Sequence, residues 1–594
     1  MSPFNPGYPT LSPAEVGSQS VISDDSEENA VYDYIVVGGG TAGAVVASRL
    51  SEDPSVRVLL VERGEAVDTW ASRVPLLSAN YQAKGSPADR FSCAPLDNVD
   101  GRALEMVLGK ALGGGSRING QVYTRSSAAD FNRWSECGRQ GWSYDEVEPF
   151  FTKSEGYLGL PVPKNHGSNG PWKIQPFKKF FFKSTALCAE AAQLLGIPLV
   201  DDINSPTAPA VACTKLHTTI DGEAHRSSTF HAFLPLDVAI ARKDHLKICT
   251  GSVATSLHIQ KGRVVGVFFE REQSESDTGR TFYACARREV VVCCGAIGSP
   301  QLLMLSGIGP ASHLKSLGIE VVKDLPGVGS NLQDHFGVST MFQIPLKDSF
   351  HIVRDRPLRA MQEFLKYLVK GDGLFLCPIT QISIFLRSAL LGDDLSLHNA
   401  DSSQLDSTLS TNIPDIEIMP VSYNTTDYEV EPGTGLLSFL AVLLQPNSRG
   451  TVRLVSRDPL VRPTCDLGFL SDPRDRALIK TAVKFSKRIA EKMREQGYPM
   501  ADQNVPTSES GADLDAFVNK SARSTFHYSS TCRMAPENDP QPGVVDDRLR
   551  VYGVQNLRIA DCSIFPDILS NHLQAPAAMV AEKCAHMILE DASS

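Results

Sequence analysis

The sequence predicts an α/β protein in which a discontinuous domain on a mostly parallel sheet is interrupted by a second, α+β domain. Three observations predict it. A strand–glycine–helix pattern occupies residues 33–53, related patterns return at 288–309 and 554–591, and the stretch from about 335 to 520 between them differs in composition. A strand buried on both faces and followed by a small-residue helix is the unit from which doubly wound sheets are made.

The first pattern reads DYIVVGGGTAGAVVASRLSED. Tyr34 to Val37 is short, apolar and rich in β-branched residues, as a buried parallel strand requires, and Ala42 to Leu50 has the small and aliphatic residues of a helix packed on it. Gly38, Gly40 and Gly43 fit G-x-G-x-x-G, whose glycines serve a tight turn, close approach of a pyrophosphate, and helix–strand contact. Amides at Thr41 and Ala42, where the helix starts, then face the phosphates. The next strand, VRVLLVERG, ends at Glu62, about twenty residues beyond the last glycine, where a carboxylate accepts the ribose hydroxyls. These features describe a Rossmann-like dinucleotide site; an ordinary glycine turn leaves Glu62 unexplained.

The remaining elements follow in order. Residues 1–32 lack the basic start and apolar core of a signal peptide and are rich in Pro, Ser and acidic residues, so a flexible tail and a cytoplasmic protein are expected. A second glycine cluster, GKALGGGSRINGQVY at 109–123, cannot hold a regular element. Residues 244–270 alternate apolar and polar around turns at Gly251 and Lys261-Gly262, which predicts antiparallel strands. In 288–309 a buried strand precedes a helix beginning near Ser299-Pro300, and in 554–591 a strand precedes a helix with Pro576 at its start. The first domain is therefore assigned 33–160, 212–335 and 523–594, and the substrate-binding domain 161–211 and 336–522.

Composition excludes several classes. A net charge of -11 opposes nucleic-acid binding, which needs a cationic surface. The longest apolar run, LLSFLAVLL at 436–444, is far below the ~20 residues of a membrane span. The 13 cysteines are odd in number and form no C-x-x-C pair; Cys293 and Cys294 read as buried thiols in a strand. No metal site is predicted, since the six-residue spacing of His225 and His231 is unlike a helical ligand pair, and His335 reads as structural.

These stretches together resemble the glucose-methanol-choline (GMC) oxidoreductases. GKALGGGSRINGQVYTRSSAADFN (109–132) is similar to the family's first signature and GAIGSPQLLMLSGIG (295–309) to its second. Further agreement lies in GVGSNLQDH (327–335), PNSRGTVRL (446–454), HYSSTCRM (527–534) and NLRIADCSIFP (556–566), so the likeness runs from 33 to about 590. One departure is Ser126, where the family usually has Gly, Ala or Pro.

The resemblance implies FAD, with Glu62 on the adenosine ribose, the Gly38–Gly43 loop on the pyrophosphate, and Val253 near adenine. It further implies flavin contacts at Gly115, Asn119, Gly120 and Val122, and at Ala560, Asp561, Gln574 and Ala575. Ile118 stands where some relatives carry a flavin-linking histidine, so non-covalent FAD is expected. Oxidising an alcohol requires loss of a hydride to the flavin and of a proton to a base, and neutral imidazole suits that base. By resemblance His527 is the base and His572 a hydrogen-bonding partner of the substrate hydroxyl. No residue names the alcohol; the lack of a secretion signal leads to the expectation of an internal primary alcohol, aryl or of secondary-metabolite type, with oxygen or a quinone as acceptor. Alternatives are a hydroxynitrile lyase with redox-silent FAD, a fatty-acid photodecarboxylase, and a binding protein that keeps FAD as a packing element. Oligomeric state is left open.

Overall fold

The computed structural model describes residues 7–22, 30–177, 179–272, 280–397, 400–426 and 430–593. Two eight-stranded sheets and a four-stranded one organise them. The first sheet runs Thr10–Leu11, Leu246–Cys249, Val58–Val61, Val31–Val37, Thr281–Val292, Arg263–Arg271, Ser252–Gln260, with Leu557–Ile559 beside Thr281–Val292. Its central pairings are parallel, and every residue of Val31–Val37 and Val58–Val61 is buried, which explains their apolar composition; Asp33, the one charged residue in them, accepts the Arg57 N–H at 2.8 Å. Gly38, Glu62, Cys293 and Ala560 each follow the carboxyl end of one of these parallel strands, the edge where such sheets bind ligands. The helix Thr41–Leu50 packs against the C-terminal helix Gln574–Ser593, and Arg49 donates to the buried Glu582 through Nε and Nη2 at 2.8 and 2.7 Å.

Around this sheet four details differ from the sequence expectation. Part of the expected tail is docked: Thr10–Leu11 pairs with Ile248 and Cys249, Tyr8 Oη donates to the Leu234 carbonyl at 2.8 Å, and Val16 is buried. This strand satisfies backbone groups that Leu246–Cys249 would otherwise leave at a sheet edge; residues 1–6 and 23–29 lie outside the described residues. Leu246–Cys249 is itself a parallel strand, and only Ser252–Gln260 and Arg263–Arg271 form the antiparallel hairpin, turning at Lys261 and Gly262. Alternation there reflects a position near the sheet edge rather than strand direction. The helix placed near Ser299 begins at Gly295 and holds Pro300 inside it. Proline has no N–H for the Ala296 carbonyl, and the Thr531 hydroxyl supplies that donor at 2.6 Å. Cys293 and Cys294 sit just past the end of Thr281–Val292 as thiols, not within the strand.

The second sheet runs Ala501–Asn504, Phe336–Ile344, Gly435–Leu443, Ile416–Val421, Ile382–Leu386, Ala212–Lys215, Leu199–Val200, with Ala522–Ser524 beside Phe336–Ile344. Ala212–Lys215 therefore pairs antiparallel with Ile382–Leu386, although its position in the sequence assigned it to the first domain. Ile384, Ile416, Ile418 and Leu437 face a core shared with the helix Pro473–Glu495. Phe385, Met419, Val421 and Val442 form a separate cluster, so alternation in Ile416–Val421 puts Glu417 on their face, opposite Phe385 and Val442. Among the described residues no helix is long and apolar enough to cross a membrane.

The four-stranded sheet, Val122–Tyr123, His217–Thr218, Trp172–Pro176 and Glu155–Tyr157, draws on both sequence-assigned domains. Behind it Arg125 grips Glu155 with Nε and Nη2 at 2.7 and 2.6 Å, and His166 bridges Glu155 and Asp202 at 2.8 and 3.0 Å. His166, Asp202 and His217 place ligand-type atoms within 4.8 Å of one another, but each carboxylate already faces a cation or a ring N–H.

Candidate active site

The two glycine loops are bound to each other through backbone. Gly113 N–H donates to the Gly39 carbonyl at 2.8 Å and Thr41 Oγ1 to the Gly113 carbonyl at 3.3 Å. A Cβ on Gly114 would stand 2.7 Å from Gly40 Cα, and one on Gly43 would stand 1.8 Å from the Gly38 carbonyl oxygen, so side chains are excluded from both contacts. Glu62 accepts Gly39 N–H and Gly64 N–H, each at 2.6 Å, one per oxygen. Burial pushes its carboxyl up to about 7. Val253 lies next to Ser252, whose N–H bonds the Glu62 carbonyl at 3.0 Å.

Farther along, Asn119 Nδ2 donates to Gln574 Oε1 at 2.8 Å, and Gln574 Nε2 donates to the Val122 carbonyl. Asp561 accepts Gly295 N–H at 2.9 Å and Ser299 Oγ–H at 2.6 Å, while Ala560 N–H bonds the Val292 carbonyl at 2.9 Å. Ala575 is buried at the start of the C-terminal helix. Bonds thus tie several of these residues together: Gly39 to Glu62 and Gly113, and Asn119 through Gln574 to Val122. The chain's residues fit FAD there: the helix Thr41–Leu50 begins at Gly40 without a side-chain cap, and a Cβ on Gly115 or Gly120 would meet nothing within 4 Å.

Arg226, not singled out from the sequence, locks the second loop. It is buried and donates to the Ser116 carbonyl at 2.9 Å, to Asn119 Oδ1 at 2.8 Å, to the Asn119 carbonyl at 2.6 Å and to Ser78 Oγ at 2.8 Å. No carboxylate among the described residues pairs with it, and burial lowers its pKa to about 9. A buried cation with neutral partners suits an anionic cofactor.

His527 and His572 come together with ring centroids 5.1 Å apart. His527 follows Phe526, whose φ of 64° is left-handed, and its backbone N–H bonds Asp334 Oδ1 at 2.7 Å. His527 Nδ1 lies 2.9 Å from His335 Nδ1 and 3.3 Å from Thr525 Oγ1, and His335 Nε2 lies 3.0 Å from the Leu569 carbonyl. His335, which the sequence reads as structural, thus contacts the His527 ring directly. Burial holds the His527 imidazole well below its ordinary range and lowers His335 to about 4.

His572 Nε2 lies 3.1 Å from Glu417 Oε1, which also accepts the Ser383 hydroxyl. Glu417 is fully buried; burial opposes its charge, but neighbouring His572 and the hydrogen bonds hold its pKa below the usual value. Its other oxygen, Oε2, has no partner among the described residues. A single charged residue inside IEIMPV was the one signal that marked it in the sequence. Two residues upstream of His572, Ser570 bonds Asp130 through its N–H at 3.1 Å and through its hydroxyl. The Ser126 hydroxyl bonds the same carboxylate at 2.8 Å, so the departure at Ser126 adopts φ 80° and adds a donor to the anchor of the His572 segment.

A dinucleotide cradle at the carboxyl edge of a parallel sheet, leading to two imidazoles beside a second sheet, defines a two-domain flavin-type oxidoreductase. Models of the GMC oxidoreductase family match residues 32–337 and 446–581. The dehydrogenase str4 of Strobilurus tenacellus is 33% identical over 94% of this chain and 94% of its own length. Human mitochondrial choline dehydrogenase is 33% identical over 96% of this chain and 92% of its own. A fungal aryl-alcohol oxidase structure superposes with a TM-score of 0.79 at 25% identity, covering 95% of this chain and 99% of that one. The chain belongs to the GMC oxidoreductases, FAD-dependent enzymes acting on alcohol or related donors.

Proposed function

We propose that this protein oxidises a primary alcohol, of aryl or secondary-metabolite type, to the aldehyde, using non-covalently held FAD and passing the electrons to oxygen or a quinone-type acceptor. The observation that carries the reading is the pair of imidazoles at the end of the cradle, 5.1 Å between ring centroids, with His527 Nε2 lacking a protein partner among the described residues. FAD, when bound, supplies the acceptor for the substrate hydride. His527 takes the hydroxyl proton on Nε2, and burial keeps that imidazole unprotonated and ready to accept it. His572, tied to Glu417 through Nε2 and facing the His527 ring at 5.1 Å, is assigned to hydrogen-bonding the substrate hydroxyl and fixing its direction. Ile118, in place of a flavin-linking histidine, supports dissociable cofactor. The aryl class is supported by likeness to the aryl-alcohol oxidase.

Anaerobic mixing with a panel of aryl, aliphatic and amino alcohols, followed by admission of air, tests cofactor, chemistry and acceptor together. Bleaching of the flavin band is expected, and His527→Ala should slow it ~10²- to 10⁴-fold with FAD retained. Near-normal bleaching by that variant removes His527 as the base. A spectrum that stays yellow with every alcohol while a cyanohydrin is cleaved points to a lyase instead.

A further inference from the structure

We infer that His335 is a positioning residue that fixes the tautomer of His527, so that the lone pair of the base lies on Nε2, the nitrogen without a protein partner. The inference rests on His527 being the base, as proposed above.

The direction of the chain of bonds follows from its fixed end. The Leu569 carbonyl can only accept, so the proton on the His335 side of that 3.0 Å contact sits on His335 Nε2. A neutral imidazole carries one N–H, which leaves a lone pair on His335 Nδ1. That lone pair lies 2.9 Å from His527 Nδ1, with the two rings nearly perpendicular at 86°, and two lone pairs cannot face each other at this distance. His527 Nδ1 therefore carries the proton, and its Nε2 carries the lone pair. The Thr525 hydroxyl, committed to the His335 carbonyl at 3.0 Å, is a second acceptor for the same N–H at 3.3 Å.

Neutrality of His335 is the condition for this direction. His335 is fully buried. The ionisable groups facing it are His527, His572 and Glu417, and Glu417 is bonded to His572; Asp334 spends its oxygens on the His527 N–H and the Ser524 hydroxyl. Burial keeps the ring uncharged down to about pH 4. A protonated His335 would point an N–H at His527, reverse the relay and put the His527 proton on Nε2, where the substrate hydroxyl needs an acceptor. When His527 takes the substrate proton, its Nδ1–H already points at a lone pair, so the new cation needs no ring rotation.

The test compares His335→Asn, His335→Leu and His527→Ala as FAD-loaded proteins in anaerobic flavin reduction across pH 5 to 9. Asparagine places Oδ1 near the position of Nδ1 and can accept the His527 proton; leucine cannot. His335→Asn is expected within about 5-fold of wild type. His335→Leu should be ~10- to 100-fold slower in the reduction step with KM little changed and its acid limb displaced, below the ~10²- to 10⁴-fold of losing the base itself. Equal rates for His335→Leu and wild type, with His527→Ala still severely slow, overturn the inference and leave the base in place. Equal slowing by Asn and Leu also overturns it, since shape rather than the acceptor then matters. A near-normal His527→Ala overturns the base itself. Flavin-to-protein absorbance of each variant separates loss of fold from loss of tautomer.

Discussion

The cofactor cradle and the imidazole pocket are built in opposite ways. Around the glycine loops of the cradle most working atoms are backbone: Gly39 and Gly64 amides on Glu62, Gly113 on Gly39, and helix-start amides beyond Gly40, with the Asn119–Gln574 and Arg226 side chains added from outside the loops. In the pocket they are side chains brought from far apart, 192 positions between His335 and His527 and 155 between Glu417 and His572. Backbone sites need small residues at fixed local spacing, whereas side-chain sites need distant strands in register. Damage should divide accordingly, cradle variants losing flavin and pocket variants keeping flavin while losing rate.

The largest effect is expected from Gly43→Ala. Its Cβ would be 1.8 Å from the Gly38 carbonyl oxygen, a backbone atom that cannot swing away, so helix and strand must separate. Overpacking of this kind costs about 1–3 kcal/mol or more. Purified protein should be largely colourless with a lowered melting temperature; a yellow, fully active variant would break the distinction. Arg226→Met comes next. It leaves the Ser116 and Asn119 carbonyls without their buried donor, each at about 1–3 kcal/mol, while Asn119 Oδ1 keeps the Gln121 N–H at 3.1 Å, and should weaken FAD retention on dialysis while sparing reduction of the flavin that remains.

Glu417→Gln sharpens the pocket side. It keeps the volume and removes the charge beside His572, so reduction should slow on the order of 10-fold to 100-fold, less than for a lost base, with the absorbance ratio unchanged. Loss of FAD from this variant would mean that the two regions are coupled.

His335 gives a pH signature. Its folded pKa, about 4, lies below the ordinary 6.5, so the unfolded chain binds the extra proton between these values. The stabilisation is therefore complete above about 6.5 and is lost as pH falls through 4. His335→Asn should flatten the fall in melting temperature between pH 6.5 and 4; an unchanged slope would show that burial of this ring does not set it. The smallest effect is expected for Ser126→Gly. Glycine relieves φ 80°, the lost bond to Asp130 offsets it, and the net change should stay within about 1 kcal/mol by thermal melt.

How much of this was readable depends on range. The turn through Gly38, Gly40 and Gly43 and the end of the strand at Glu62 could be read because their constraints act over a few residues. His527 and His572 were assigned through resemblance, not through any local pattern. Glu417 was missed although a lone carboxylate stands in an apolar strand, because its burial depends on which face of Ile416–Val421 turns to the site. Pro300 misled the helix start because the compensating hydroxyl comes from Thr531, 235 positions away. The docking of residues 8–16 was hidden because pairing needs an open sheet edge that composition does not reveal.

By itself the sequence determined the parallel sheet, the glycine loops and the family, since buried strands and tight turns impose residue types through local sterics. Tertiary structure alone decided which imidazole faces a lone pair and which faces a carboxylate. Proton positions depend on the neighbours each nitrogen meets, and those neighbours are set by strand register and loop packing across the whole chain.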